Sequence, residues 1–369
     1  MSSNIDDIPI ILPHGKSRDR DKILVDFANA IIAYTKAIEI HPEPRGWGYI
    51  LENKGQISKD EIDLVEACIG DCLDRGLIPI DLIGHDESRE AQDVEIPEDC
   101  SPKEFLARWL GFVQRCEQTY TPDWFAGMDH YVQMLVEKFD LVTLFRPITG
   151  CCHIPIATAK GWSGRIQRAE FGKRFKEAEA RGLQCVLLYG GDFDAPGIHI
   201  FNNLRKNMND VKHEVWSDGT TGYDPKNLII KRFALTEVQI KDLNLPWINN
   251  LKTGKGLDLS HKTHKQHNEP WVQDWLHKVG PRKVEANALV THPDEAKKLC
   301  LDAIVHGVLE VDEDDVVIPS EEWPGLGEDA LPKFAAKKHK IDKEISELRT
   351  KTGLHDALNR WMNFLLKEE

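Results

Sequence analysis

The stretch VLLYGGDFDAPGIHI occupies residues 186–200. It opens as an unbroken apolar run, turns at Gly190 and Gly191, and sets Asp192 and Asp194 one residue apart ahead of Pro196. An apolar run closed by glycines reads as a strand covered on both faces. Proline suits the first turn of a helix, so a helix is expected to follow. Strand, turn and helix in this order form part of an α/β unit. The two aspartates are then either solvated loop residues or carboxylates that share a cation.

The neighbouring segments extend the same pattern. YVQMLVE (Tyr131–Glu137) reads as a strand and KFDLVTLF as a short helix. HIPIATA (His153–Ala159) is a second strand, Arg165–Arg181 a charged helix, QCVLLYGG a third strand and NLIIKRFAL a further one. Alternating strands and helices predict a mostly parallel sheet, and ligands of such sheets gather beyond the carboxyl ends of the strands. Glu137 ends one strand, and Asp192 and Asp194 follow another, so all three carboxylates are expected at one rim. Converging carboxylates are costly without a cation. An all-oxygen set suits a hard ion, magnesium before zinc, and magnesium at such a rim assists phosphoryl chemistry.

Residues 1–20 read as an arm, and Asp21–Glu39 as an apolar-faced helix. A second helix covers Arg45–Asn53. A third opens at Ser58-Lys59-Asp60-Glu61, which has capping-box spacing, and places Ile62, Val65, Ile69 and Cys72 on one face. Gly76 stands at its C-terminal cap, and LIPIDLIG is expected to form a wing strand. These features predict a winged helix-turn-helix over residues 21–95. Residues 96–130 are expected to be a linker and a helix anchored near Trp109, Phe112 and Trp124. The α/β domain is assigned to 131–311. The tail, 312–369, is acidic, then basic, and ends in an amphipathic helix around Ile341–Leu366.

Composition bounds the function. At 369 residues, 41% hydrophobic and 29% charged, the chain is long enough for two domains and typical of globular proteins. No apolar run nears the roughly 20 residues that span a bilayer. The start, MSSNIDDIPI, lacks a basic region and a long apolar segment, so no signal peptide is expected. Eight cysteines without paired spacing predict reduced thiols and a cytoplasmic protein. The net charge of −14 argues against a chain that coats nucleic acid non-specifically, while leaving room for a local basic groove.

VEK (Val136–Lys138) together with GDFDAPG (Gly191–Gly197) resembles the Toprim domain, the metal-binding module of topoisomerases, primases and certain nucleases. The resemblance implies that Glu137, Asp192 and Asp194 hold magnesium. Upstream, Arg45-Gly46-Trp47-Gly48-Tyr49 lies in the expected helix-turn-helix. A winged helix carrying a tyrosine and followed by Toprim resembles the A subunit of topoisomerase VI and the related meiotic double-strand-break protein, over about residues 20–310. The closest likeness is to small stand-alone relatives from microbes and mobile elements. In that family an arginine precedes the nucleophilic tyrosine by four positions, as Arg45 precedes Tyr49. An acidic residue usually follows the arginine and an aromatic stands beside the tyrosine; here Gly46 and Gly48 take those places. KVEANAL (Lys283–Leu289) also looks like a late family segment, with Glu285 at its acidic position.

The resemblance implies magnesium-dependent cleavage of double-stranded DNA through a 5′-phosphotyrosyl bond. It implies a homodimer in which the tyrosine of one subunit works with the metal of the other, and a nucleoid-associated location. GKGLDLSHKT lacks the lysine directly after the second glycine of a nucleotide loop, so ATP-driven strand passage would need a separate ATPase subunit. Two alternatives stay open: a Toprim nuclease that hydrolyses DNA, with Tyr49 packed beside Phe27 and Ile50, and a silent DNA-binding relative. Lys160, Arg165 and Arg168, around a glycine-flanked helix start, are candidate DNA contacts or ordinary solvated charges. His261, His264 and His267 recur every third residue and read as a polar loop or a metal site.

Overall fold

The computed structural model describes residues 10–13, 19–38, 41–84, 100–115, 119–159, 164–252, 257–311 and 317–366. It is a mixed α/β structure, 56% helical, with a four-stranded parallel sheet. The chain divides into two compact units. One comprises Met1–Asp86 with Met128–Gly327, the other Glu87–Gly127 with Glu328–Glu369.

The first unit starts with three helices, α1 (Arg20–Ile38), α2 (Pro44–Asn53) and α3 (Ile62–Asp74). Helix α1 buries Leu24, Phe27, Ile31, Tyr34 and Ile38, the three- and four-residue spacing of one helical face. Pro44 sits in the first turn of α2. Ahead of α3, the Glu61 carboxylate accepts from the Ser58 N–H at 2.7 Å and from its hydroxyl at 2.9 Å, fixing the turn that leads into the helix. Ile62, Val65, Ile69 and Cys72 are all buried, as the spacing predicts, and Gly76 closes the helix at φ +65°.

The expected wing strand is not formed by Leu77–Gly84. Pro79 is followed by a single 3-10 turn, Ile80–Leu82. Proline has no N–H for a ladder, and the side-chain pattern does not alternate: Ile78 and Ile83 are buried with Ile80 exposed between them. Residues 85–99, where the rest of a wing would fall, lie outside the described residues.

Helix α4 (Pro102–Gln114) belongs to the second unit and opens with a capping box at Ser101 and Glu104. The first unit then runs β1 (His130–Val136), α5 (Phe139–Cys151), β2 (Ile156–Thr158), α6 (Arg165–Ala180), β3 (Gln184–Gly190), α7 (Ala195–Asn209) and β4 (Ile229–Ala234). The sheet order is β2-β1-β3-β4, and every pairing is parallel. β1 and β3 lie side by side from His130↔Gln184 to Val136↔Gly190, so their carboxyl ends are level. Six of the seven residues in each are buried, which explains their unbroken apolar character. The order reverses between β1 and β3, where crevices open in such sheets. Beyond the sheet come α8 (Glu237–Asp242), α9 (Pro270–Lys278), α10 (Pro293–Val305) and the antiparallel pair β5 (Leu309–Val311) and β6 (Val317–Pro319).

The second unit adds α11 (Ala330–Lys351) and α12 (Leu354–Leu366) to α4. The single amphipathic helix expected around Ile341–Leu366 is therefore two helices, broken where Gly353 takes φ +66°. The helix expected over 103–130 ends at Gln114. Trp109 and Phe112 pack edge to face on an exposed surface of α4, while Trp124 meets the Phe334 ring.

Candidate functional site

Main-chain bonds fix the rim of the sheet. The Glu137 N–H donates to Gly190 O at 2.9 Å, locking the two strand ends together. The Glu137 side chain then turns back over the neighbouring loop. Its Oε2 accepts from the Asp192 N–H at 2.8 Å and from the Tyr189 hydroxyl at 3.3 Å. This leaves no room at the second glycine. A Cβ on Gly191 would stand 2.5 Å from Tyr189 Oη and 2.7 Å from Glu137 Oε2, which accounts for the double glycine ahead of Asp192.

Arg232 of β4 supports the loop from below, donating Nη2 to the carbonyls of Gly191 and Asp192 at 2.9 and 2.5 Å. Asp194 caps α7, its Oδ1 accepting from the Gly197 N–H at 2.7 Å. Asp192 reaches across to a distant segment. Its Oδ1 accepts from the Ala286 N–H at 2.7 Å, and Phe193 and Val284 exchange main-chain hydrogen bonds beside it.

The positive charge next to the carboxylates comes from the chain itself. Lys138, directly after Glu137, places Nζ 3.0 Å from Asp192 Oδ2 and pairs with Glu285 as well. Glu285 is also bonded to Lys283 at 2.6 Å and Lys59 at 3.2 Å. Burial alone would raise the Glu285 carboxyl, but Lys138, Lys283 and Lys59 hold it well below the usual carboxylate range. Burial alone would lower the Lys138 ammonium, yet Asp192, Glu285 and Glu137 hold it well above its ordinary value.

The other two carboxylates are less well compensated. Burial, then Asp192, pushes Glu137 up to about 8 and Asp194 up to about 6. The donor set, three acidic side chains with oxygen only, is the kind a hard cation such as magnesium takes. Lys138 stands in as the cation on Asp192. Among the described residues, no group of three or more His, Cys, Asp or Glu side chains is arranged as a ready metal site, and that includes His261, His264 and His267.

Helix α2 brings the tyrosine to the same place. Trp47 and Ile50 are fully buried, whereas Arg45 and Tyr49 share the opposite face, four residues apart. Tyr49 is half-buried, unlike Phe27 and Ile50, with which a purely structural tyrosine would pack. Arg45 Nε donates to Tyr49 Oη at 3.3 Å, and its Nη1 pairs with Glu66 at 2.8 Å and Asp63 at 3.5 Å. The bond to Tyr49 is the main reason the Arg45 guanidinium is held above its usual range.

Lys138 Nζ lies 4.8 Å from the centre of the Tyr49 ring. Arg45, Tyr49, Glu137, Lys138 and Arg168 line one cavity of about 800 Å³. The glycines beside Trp47 are what allow this approach. A Cβ on Gly46 would meet Asp140 Oδ2 at 2.5 Å, and one on Gly48 would meet Ile62 Cγ2 at 2.6 Å.

The structure thus gathers Arg45, Tyr49, Glu137 and Arg168 around one cavity, with Asp192 joined to it through Lys138. Asp194 is a buried helix cap just behind. Arg165 is exposed and paired with Glu214. Arg168 donates to Asn207 O at 2.8 Å and faces Asp210 at 3.8 Å. Lys160 lies outside the described residues. Reading the sequence for site residues passed over Lys138, Lys283, Lys59 and Arg232. The signal for Lys138 was its place in VEK, immediately after the rim glutamate. Lys283 and Glu285 carried a weaker one, an alternating pair in KVEANAL.

Comparison of the chain with family models, curated proteins and solved structures gives no match.

Proposed function

We propose that this protein cleaves double-stranded DNA by tyrosine transesterification, in the manner of the topoisomerase VI A subunit. In this reading α1–α3 serve as a helix-turn-helix-type DNA-binding region, and the parallel sheet with its carboxylate rim serves as a Toprim-type domain. The observation that carries the proposal is the shared cavity: Tyr49, with Arg45 on its hydroxyl, faces the same space as Glu137 and Lys138.

A tyrosine hydroxyl has a pKa of about 10, so it attacks poorly unless its anionic form is stabilised. Arg45, one helical turn away and donating Nε to Oη, positions the hydroxyl and offsets negative charge that develops on its oxygen during attack. Tyr49 Oη attacks the phosphorus as the phenol proton leaves to solvent. The P–O3′ bond breaks, the 3′-oxygen takes up a proton, and the 5′-phosphate stays on the protein. Attack by the 3′-hydroxyl reverses the sequence and reseals the strand. Arg45, Lys138 and Arg168 would receive the phosphodiester in a cavity that Glu43, Glu137, Asp140 and Asp210 also line.

Glu137, Asp192 and Asp194 are the residues that would hold magnesium. When bound, it would neutralise charge on the phosphodiester and on the leaving oxygen. A homodimer offers two such cavities and therefore two staggered nicks. A separate ATPase subunit would drive strand passage, and the substrate places the protein at the nucleoid.

The test is direct. Supercoiled plasmid is incubated with the protein and magnesium, quenched with detergent, and assayed for DNA carried with protein. Adducts that vanish in Tyr49→Phe are the expected result. Cleavage without adducts that survives Tyr49→Phe would replace this reading with hydrolysis. An absence of cleavage with any divalent metal would leave a DNA-binding relative without chemistry.

A further inference from the structure

Lys138 bridges two carboxylates that do not depend on it equally. Its Nζ is 3.0 Å from Asp192 Oδ2, the distance of a direct ion pair, and its side chain is 19% exposed. A magnesium ion approaches carboxylate oxygen to about 2.1 Å. An ammonium and a divalent ion cannot share that oxygen without strong repulsion. The second anchor of Lys138, Glu285, is already bonded to Lys59 and Lys283, so it keeps two cations when Lys138 leaves. The ammonium already lies 4.8 Å from the Tyr49 ring centre and lines the cavity that Tyr49 faces, so on leaving Asp192 it stays within that cavity. A lysine suits such a move, being a point charge on a flexible stem, whereas arginine would bind the carboxylate as a rigid fork.

We infer that Lys138 is a placeholder cation: in the resting protein it occupies the place of a divalent ion at Asp192, and an arriving ion releases it from that carboxylate. This rests on the proposed function insofar as the rim takes a divalent cation. It goes further in making metal loading the step that frees, from its carboxylate, a positive charge already beside the tyrosine.

The experiment measures metal binding and lysine exposure rather than cleavage. Manganese binding to the full chain is titrated by electron paramagnetic resonance in wild type, Lys138→Met and Lys138→Arg. Removing the competing charge is expected to tighten binding by about 10-fold or more in Lys138→Met, while Lys138→Arg stays as weak as wild type. Equal affinity in wild type and Lys138→Met overturns the inference and leaves metal binding at the rim intact. No binding in either overturns both.

A second measurement needs no variant. Acetylation of wild-type lysines, read by mass spectrometry, is expected to rise several-fold at Lys138 on saturation with manganese. Lys231, bound to Glu310 and Glu322, should stay unchanged. Labelling of Lys138 that is unchanged or reduced overturns the inference, even where Lys138→Met does not fold.

Discussion

Lys138 links the cavity to a buried floor that does not itself line it, where Glu285 is 5% exposed and surrounded by Lys59, Lys138 and Lys283. At the lip of the cavity, Tyr49 is half-buried, and Arg45 touches its hydroxyl at 3.3 Å from a side chain that is 44% exposed. The floor joins three parts of the chain: the turn before α3, the end of β1 and the 283–286 segment. A buried charge survives only when paired and hydrogen-bonded, so the floor is a closed set whose members depend on one another. The lip belongs to one amphipathic helix, and its polar groups keep contact with solvent. Substitutions at the floor should therefore act first on stability, and substitutions at the lip on chemistry alone.

The largest effect tests the lip. Tyr49→Phe should abolish detergent-stable adducts and change the urea midpoint little, since an exposed hydroxyl carries at most about 0.5 kcal/mol. Because Tyr49 and Glu137 line a cavity of one chain, an equimolar mixture of Tyr49→Phe and Asp192→Asn should also stay inactive. Cleavage recovered by mixing would mean that a partner subunit supplies the carboxylates, as the family resemblance implies.

At the floor, Glu285→Gln should destabilise the protein by about 3–5 kcal/mol in urea unfolding, because it leaves three buried or half-buried ammonium groups without their shared anion. A loss below about 1 kcal/mol would show the hub to be solvated and the contrast false. Arg45→Ala returns to the lip. It should slow adduct formation on the order of 10²-fold, as loss of one preorganised donor does, with stability held.

A further effect is in pH. Glu137 is raised from 4.5 to about 8 by burial, then by Asp192. The folded chain therefore holds this proton more tightly than the unfolded one. The stabilisation is complete below pH 4.5 and is lost as pH rises through about 8. Glu285, held low, acts in the opposite sense: its contribution is present above the ordinary carboxyl range and fades as pH falls. In EDTA, thermal melts of wild type should decline from pH 5 to 8, and Glu137→Gln should flatten that decline. A decline of the same size in Glu137→Gln would place the titrating group elsewhere.

Much of the sheet was legible from β1 and β3. Both are apolar runs with abrupt polar ends, and burial on two faces leaves that mark on any sequence. The three helices of the amino-terminal part were legible for the related reason that their apolar positions recur at helical spacing. Leu77–Gly84 misled because its apolar content resembles a strand, while Pro79 removes the donor a ladder needs. The break at Gly353 was missed because charged, helix-favouring residues continue on both sides of it. In the site, the Arg45–Tyr49 relation was readable since four residues make one helical turn. Glu137, Asp192 and Asp194 were readable as strand-end carboxylates.

The sequence by itself determined which residues could bear chemistry, since strand ends, helix faces and glycine turns are local properties of the chain. Only the tertiary structure decided what neutralises the aspartates of VLLYGGDFDAPGIHI. The Lys138–Glu285 pair spans 147 positions, and Asp192 meets Ala286 across 94. No periodicity encodes such a separation, because the contact depends on how α2, the sheet edge and the 283–286 segment pack. The packing placed a lysine where a metal was expected, and it placed Tyr49 above that lysine.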